Sequence, residues 1–231
     1  MSTLVVCLAG PMQAWGASSR FTKRDTRREP TKSGVIGLLA AAQGVRRTDS
    51  IEHLLGLRFG VRVDRDGVLM RDFQTARSLD EKKTMPLSIR YYLADAIFVA
   101  GVEGPSELID TLADALRRPV FPLFLGRRSC PPSRPLLMAV ADDGLDAVLA
   151  STPWQAPPTY RRRQAREVRL RTIVDGVPGV GPTVRDVPIS FDPRRREYGW
   201  RTTEESFVTM PNPDGHGNSI SHDPMSLLGG A

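Results

Sequence analysis

Two helical stretches set among short β-patterned runs restrict what this chain can fold into more than any other feature. The second stretch is the sharper. Between Pro105 and Pro119, Leu108, Ile109, Leu112, Ala113 and Leu116 recur at the helical period. Pro105 suits a helix start, Glu107 and Asp110 favour the positive end, Arg117 and Arg118 complement the last turn, and Pro119 stops it. The first stretch can be capped by Thr31 or Ser33. It lines one side with Val35, Ile36, Leu38, Leu39 and Ala42, and ends at Gly44 as a left-handed stop. Asp49 with Glu52 resembles a capping box, opening a short helix with Ile51, Leu54 and Leu55 inward.

The runs between these helices read as strands. Leu4–Leu8 is continuously apolar and closes at Ala9-Gly10-Pro11. Phe59, Val61 and Val63 alternate with Gly60, Arg62 and Asp64, and Asp66-Gly67 marks a hairpin turn into Val68–Phe73. Tyr91–Ala100, Val120–Leu125 and Leu136–Ala141 are further strand candidates. Met12–Pro30 reads as a long basic loop, and Gln74–Ser88 as an excursion from the sheet. The order up to about residue 141 is strand, helix, strands, helix, strand. That is an α+β arrangement of the ferredoxin-like type, also used by RNA-recognition domains. Beyond it Val168, Leu170 and Thr172 alternate, as do Val187, Ile189 and Phe191. The expected division is a core over 1–145, a β-rich extension over 146–210, and a poorly ordered tail over 211–231, where Pro, Gly, Asn, Asp and Ser dominate.

Charge narrows the function. Lys and Arg total 32 against 26 acids, a formal +6. Only Lys23, Lys32, Lys82 and Lys83 are lysines; the other 28 are arginine, whose planar fork suits phosphate and stacks on bases. A GC-rich genome raises arginine throughout a chain but does not cluster it. Arg20–Lys32 carries six basic residues against Asp25 and Glu29, and Arg161–Arg171 carries six arginines against Glu167. Arg127, Arg128 and Arg134 sit in a stretch without acids. Local excess of one sign is the footprint of a phosphate-binding surface.

Catalytic and metal chemistry find little support. His53 lies in a Leu-rich helical stretch, and His216 and His222 lie in the tail. Cys7 and Cys130 form neither a ligand cluster nor a disulfide framework, so no metal or cofactor is expected. Asp142-Asp143 followed by Gly144 reads as a turn. Pro30-Thr31-Lys32-Ser33-Gly34 lacks the leading glycine of a P-loop, but it places Lys32 at a helix N-terminus, where backbone N–H groups favour an anion or are simply capped. The N-terminal apolar run is short and has no basic leader, and no segment is long enough to span a bilayer, so a cytoplasmic protein without membrane contact is expected.

Three stretches carry a family resemblance. Leu8–Gly16 (LAGPMQAWG), Pro30–Leu39 (PTKSGVIGLL) and Leu125–Pro131 (LGRRSCP) resemble, in order and spacing, signatures of the CasD-type subunits of type I-E CRISPR Cascade. The resemblance implies a RAMP-type, RRM-like core with a protruding thumb hairpin at about 73–90. It implies a non-catalytic subunit that grips the 5′ handle of the CRISPR RNA, contacts the backbone and large subunits, and meets target DNA only through the complex. These stretches and the basic clusters together give as RNA-binding candidates Met12, Gln13, Trp15, Arg20, Lys23, Arg24, Lys32, Ser33, Gly34, Gly126, Arg127, Arg128, Ser129 and Arg134, with Phe73, Arg77, Lys82 and Lys83 on the thumb. Gln13 suits a base edge; Trp15 either stacks on a base or plugs the local core. The alternative is a metal-independent CRISPR RNA processing endonuclease, for which Tyr91, Tyr92 and Lys32 are the available groups, since arginine is too basic for proton transfer near neutral pH.

Overall fold

The computed structural model describes residues 1–16, 23–80 and 82–216. In chain order its elements are β1 (Ser2–Ala9), β2 (Met12–Gln13), β3 (Lys23–Arg24), α1 (Lys32–Gln43), α2 (Glu52–Leu55), β4 (Arg58–Arg65), β5 (Val68–Gln74) and β6 (Ser88–Ala94). There follow β7 (Ile97–Gly104), α3 (Ser106–Arg117), β8 (Leu137–Ala141), α4 (Leu145–Ser151), α5 (Pro158–Arg161), β9 (Glu167–Asp175), β10 (Thr183–Ser190) and β11 (Glu197–Pro211). The result is a mixed, sheet-rich α/β structure. A seven-stranded antiparallel sheet runs β10-β11-β9-β4-β7-β1-β8, and a smaller sheet joins β2, β3 and β5 to β6. Among the described residues no helix is long and apolar enough to cross a membrane.

The main core lies between α1, α3 and one face of the large sheet, where Leu4, Ile36, Leu39, Phe59, Phe98 and Leu112 are wholly buried. Thr31 caps α1 by accepting from the Gly34 N–H at 3.2 Å, and Gly44 ends it at φ 83°. A Cβ at Gly44 would strike Val120, so both conformation and space demand glycine there. α4 covers the opposite face, packing Leu145 and Leu149 on Val5, Val99 and Val174. This second layer explains why β4 is buried on both sides although its pattern alternates. Arg62 and Asp64 are fully buried there as a pair at 2.7 Å, and the guanidinium donates to the Leu149 and Thr152 carbonyls at the end of α4.

Several expectations change. Met12–Pro30 is not only loop, because β2 and β3 both pair with β6. Asp66-Gly67 is no hairpin between paired neighbours: it carries the chain from the large sheet into the small one, where β5 pairs with β6. Tyr91–Ala100 is two strands, broken at Asp95 (φ 57°). Val120–Leu125 forms no strand; the Val120 and Phe121 N–H groups bond the carbonyls at the end of α1. Asp49 does not cap α2, since its carboxylate accepts from the Arg46 N–H while the Ser50 hydroxyl accepts from Glu52. In β10 Asp186 and Pro188 are buried and Ile189 is exposed, the reverse of the expected phase. Of the expected tail, residues 211–216 are described, with Asn212 buried; residues 217–231, including His222, lie outside the described residues.

Candidate nucleic-acid interface

The three signature stretches meet in space. The Ala14 N–H bonds the Leu125 carbonyl at 3.1 Å, joining the first stretch to the third. Gly126 then turns at φ 86°, and a Cβ on it would lie 1.7 Å from the Ala14 oxygen, so only glycine lets the two segments touch. The Trp15 ring lies against Gly34 of α1, where a Cβ would come within 2.8 Å of it, joining the first stretch to the second.

This packing corrects two assignments. Trp15 is 1% exposed and donates its indole N–H to Gln13 Oε1 at 3.0 Å. Gln13 is 0% exposed and donates to the Leu8 and Ala96 carbonyls at 3.0 and 2.8 Å. Neither side chain faces a ligand. Trp15 is the core plug, and Gln13 satisfies the backbone where β1 breaks.

The N-terminus of α1 is also occupied from within. The Lys32 N–H donates to Asp186 Oδ2 at 2.9 Å, and Lys32 Nζ pairs with Asp175 at 2.7 Å. Arg201 closes the ring, reaching Asp186 at 2.6 Å and Asp175 at 2.7 Å. Two cations and two anions balance, and the carboxylate that the helix dipole attracts is the protein's own. Lys32 is therefore not a free phosphate ligand, and Ser33 is buried beside it.

What remains open is a cleft of about 670 Å³ beside these packed motifs. Arg24, Arg46, Arg47, Arg127, Arg128 and Arg196 line it, with Asp25 as the acid among them; Phe121, Phe191 and Tyr198 supply aromatic walls. Arg127 is committed to structure. It donates to the Tyr91 and Arg24 carbonyls at 3.1 and 2.9 Å and lies 4.6 Å over the Tyr92 ring. Arg24, Arg46, Arg47, Arg128 and Arg196 are exposed, and their guanidinium groups have no partner among the described residues. Guanidinium groups left without carboxylates around a concave, partly aromatic surface suit a single-stranded nucleic acid, with phosphates on the arginines and bases on the rings.

The other expected residues are dispersed. Lys23 pairs with Asp25 at 3.4 Å and lies over the Tyr91 ring. Met12 is half-buried in β2, Ser129 is exposed beside Cys130, and Arg134 is half-buried away from the cleft lining. Arg20 lies outside the described residues. Phe73 is exposed near the end of β5, with Arg71 over its ring at 4.8 Å, and Arg77, Lys82 and Lys83 are exposed on the arm that follows. Sequence reasoning missed Arg46, Arg47 and Arg196. The Arg194–Arg196 run was a visible signal for the last, but only folding brings it to α1.

His53 bonds Gln43 on the surface at 3.0 Å, and burial pushes the thiols of Cys7 and Cys130 up. No group of three or more metal-binding side chains occurs among the described residues.

Comparison with known proteins gives concordant matches. The model of a family described as CRISPR-associated protein (Cas5) matches residues 3–204. The CRISPR system Cascade subunit CasD of Escherichia coli (strain K12) is 36% identical over 175 residues, covering 66% of this chain and 78% of that protein. A solved structure titled crystal structure of Cas protein is 36% identical with a TM-score of 0.72, over 94% of this chain and 100% of that one. A chain of a CRISPR RNA-guided surveillance complex is 32% identical with a TM-score of 0.75, over 98% of each.

Proposed function

The chain belongs to the CRISPR-associated Cas5 family, and from that premise we propose that it is a non-catalytic, CasD-type subunit of a type I-E Cascade that holds the 5′ handle of the guide RNA in the arginine cleft. One observation carries this reading: three family signatures, far apart in the chain, pack together to build the wall of a cleft whose remaining arginines are exposed and unpaired among the described residues. The packed residues shape the cleft, and Arg24, Arg46, Arg47, Arg128 and Arg196 grip the phosphates.

The finer architecture belongs to the same proposal. β1, α1, β4, β7, α3 and β8, with strand order β4-β7-β1-β8, constitute the ferredoxin-like core. The end of β5 and the arm that joins it to β6 are the thumb, exposing Phe73 on the strand and Leu79, Met85 and Leu87 on the arm beside Arg77, Lys82 and Lys83. The extension over 146–210 adds β9, β11 and β10 in that order beside β4 and carries Arg196 into the cleft. The backbone and large subunits would be its protein neighbours, in the cytoplasm.

The endonuclease alternative fits less well. It needs a proton acceptor and donor near the scissile 2′-hydroxyl, yet Lys32 is held by Asp175 and Tyr92 is 2% exposed under Arg127. The test is to assemble the protein with the other Cascade subunits on end-labelled CRISPR RNA. Denaturing gels and nucleotide-resolved crosslinking then read the result. Intact RNA with handle nucleotides crosslinked near residues 46–47, 128 and 196 is expected. Metal-independent cleavage in the repeat, or handle crosslinks that avoid the cleft, would overturn the proposal.

A further inference from the structure

The run Arg161–Arg171 stands apart from the cleft and plays no part in the function just proposed. Its six arginines divide by what they touch. Arg161 donates to the Ala156 carbonyl at 2.8 Å and lies 5.6 Å over the Trp154 ring, while Arg171 bridges Glu29 and Glu205, each at 3.3 Å. Both are structural. The side chains of Arg162, Arg163 and Arg166 are exposed and have no partner among the described residues; Arg169 is exposed and touches only the half-exposed ring of Phe207, at 4.7 Å.

The backbone beneath these four is firmly held. Buried Asn212 donates its side-chain amide to the Arg161 and Ala165 carbonyls, both at 2.9 Å. The Asn212 N–H bonds the Arg166 carbonyl at 2.7 Å, and the His216 N–H bonds Gln164 at 3.1 Å. The acids of this surface, Glu167 and Asp214, are exposed and form no ion pair with the arginines. Like charge is thus held together on a hydrogen-bonded turn and the start of β9, with the Phe207 ring beside it.

We propose that Arg162, Arg163, Arg166 and Arg169, together with Phe207, form a second nucleic-acid-binding surface that takes the phosphodiester backbone. Arg162, Arg163 and Arg166 follow α5 on one turn and Arg169 stands on the adjoining strand β9, so four cations lie within eight successive residues, a local charge density suited to consecutive phosphates. A guanidinium resting on an exposed ring offers a charge and a stacking face at one point. An acidic protein surface would account for the charge but not for the ring. The patch is also remote from the cleft. Phe207 lies nine residues along β11 from Tyr198, about 30 Å at ~3.3 Å per residue. The same chemistry could meet either a separate strand or the continuation of the RNA held in the cleft.

Fluorescence titration of the full chain distinguishes these, using a labelled DNA duplex, a short single-stranded RNA and a longer one. Replacing the four arginines (R162A/R163A/R166A/R169A) should weaken duplex binding at least tenfold and lower its salt slope by up to about 3.6, if the surface meets a separate duplex. If it meets the cleft RNA's continuation, the loss appears with the long RNA and spares the short one. Phe207→Ala should weaken the same probe without changing net charge, so the result does not rest on one variant. Unchanged affinity for all three probes in both variants would overturn the proposal and assign the patch to a protein partner. A cleft variant (R46A/R47A/R128A/R196A) that alone loses the short RNA keeps the two sites separable.

Discussion

The first turn of α1 and the mouth of the cleft are both built from the Pro30–Leu39 stretch and its neighbours, and they treat basic residues in opposite ways. At the helix start, buried Lys32 and half-buried Arg201 meet Asp175 and Asp186, and every charge is answered within 3 Å. A short way along the same surface, Arg46, Arg47, Arg128 and Arg196 are exposed and their guanidinium groups have no ion pair among the described residues. The difference shows that a basic cluster in sequence is not a binding site by itself. The cations spent on folding and those kept for a ligand are told apart by partner and burial, not by residue type.

The largest effect should come from breaking the closed network. Asp186→Ala takes two of the three carboxylate hydrogen bonds of Arg201, leaving it with Asp175 alone, and uncaps the Lys32 N–H, and urea denaturation should show a loss of about 3–5 kcal/mol. A loss below about 1 kcal/mol would mean the network is no more than a surface pair. Gly126→Ala should follow. It forces a side chain into the left-handed region for about 1–3 kcal/mol, and pushes Ala14 away from the loop. Thermal melts should register both, and RNA affinity should fall as the cleft wall shifts. Trp15→Phe keeps a ring on Gly34 but leaves Gln13 Oε1 buried without its donor, a cost of about 1–3 kcal/mol. RNA affinity of the folded variant should stay within about twofold, whereas a stacking role for Trp15 would lower it by about 1–3 kcal/mol. Smallest of all, Arg195→Ala removes an exposed pair to Glu197 and should change stability by less than about 1 kcal/mol.

The parts of the fold read correctly from sequence were those decided locally. α3 declares itself through its stripe and flanking charges, and α1 through Thr31 and Gly44. The errors came where a distant partner decides. Val120–Leu125 has a strand's composition, but its first amides are claimed by the end of α1. The phase of β10 is reversed because Asp186 must turn inward to meet Lys32, 154 positions away. The same long reach made Lys32 look like an anion ligand. Trp15 reads two ways in sequence and Gln13 reads as a base-edge contact, but Gly34 lies against the Trp15 ring and Gln13 is spent on the carbonyls of Leu8 and Ala96. Of the cleft, Arg24 and Arg128 were visible in the basic clusters, whereas Arg46, Arg47 and Arg196 join only when the β-rich extension packs across α1.

The measurement that most directly tests this account is the salt dependence of guide-RNA affinity for the wild-type chain beside the cleft variant R46A/R47A/R128A/R196A. If these arginines meet phosphates, the log–log slope should shrink by about 2.8 for a single strand, at unchanged melting temperature. An unchanged slope in a folded variant would contradict it, and would mean the RNA is held elsewhere.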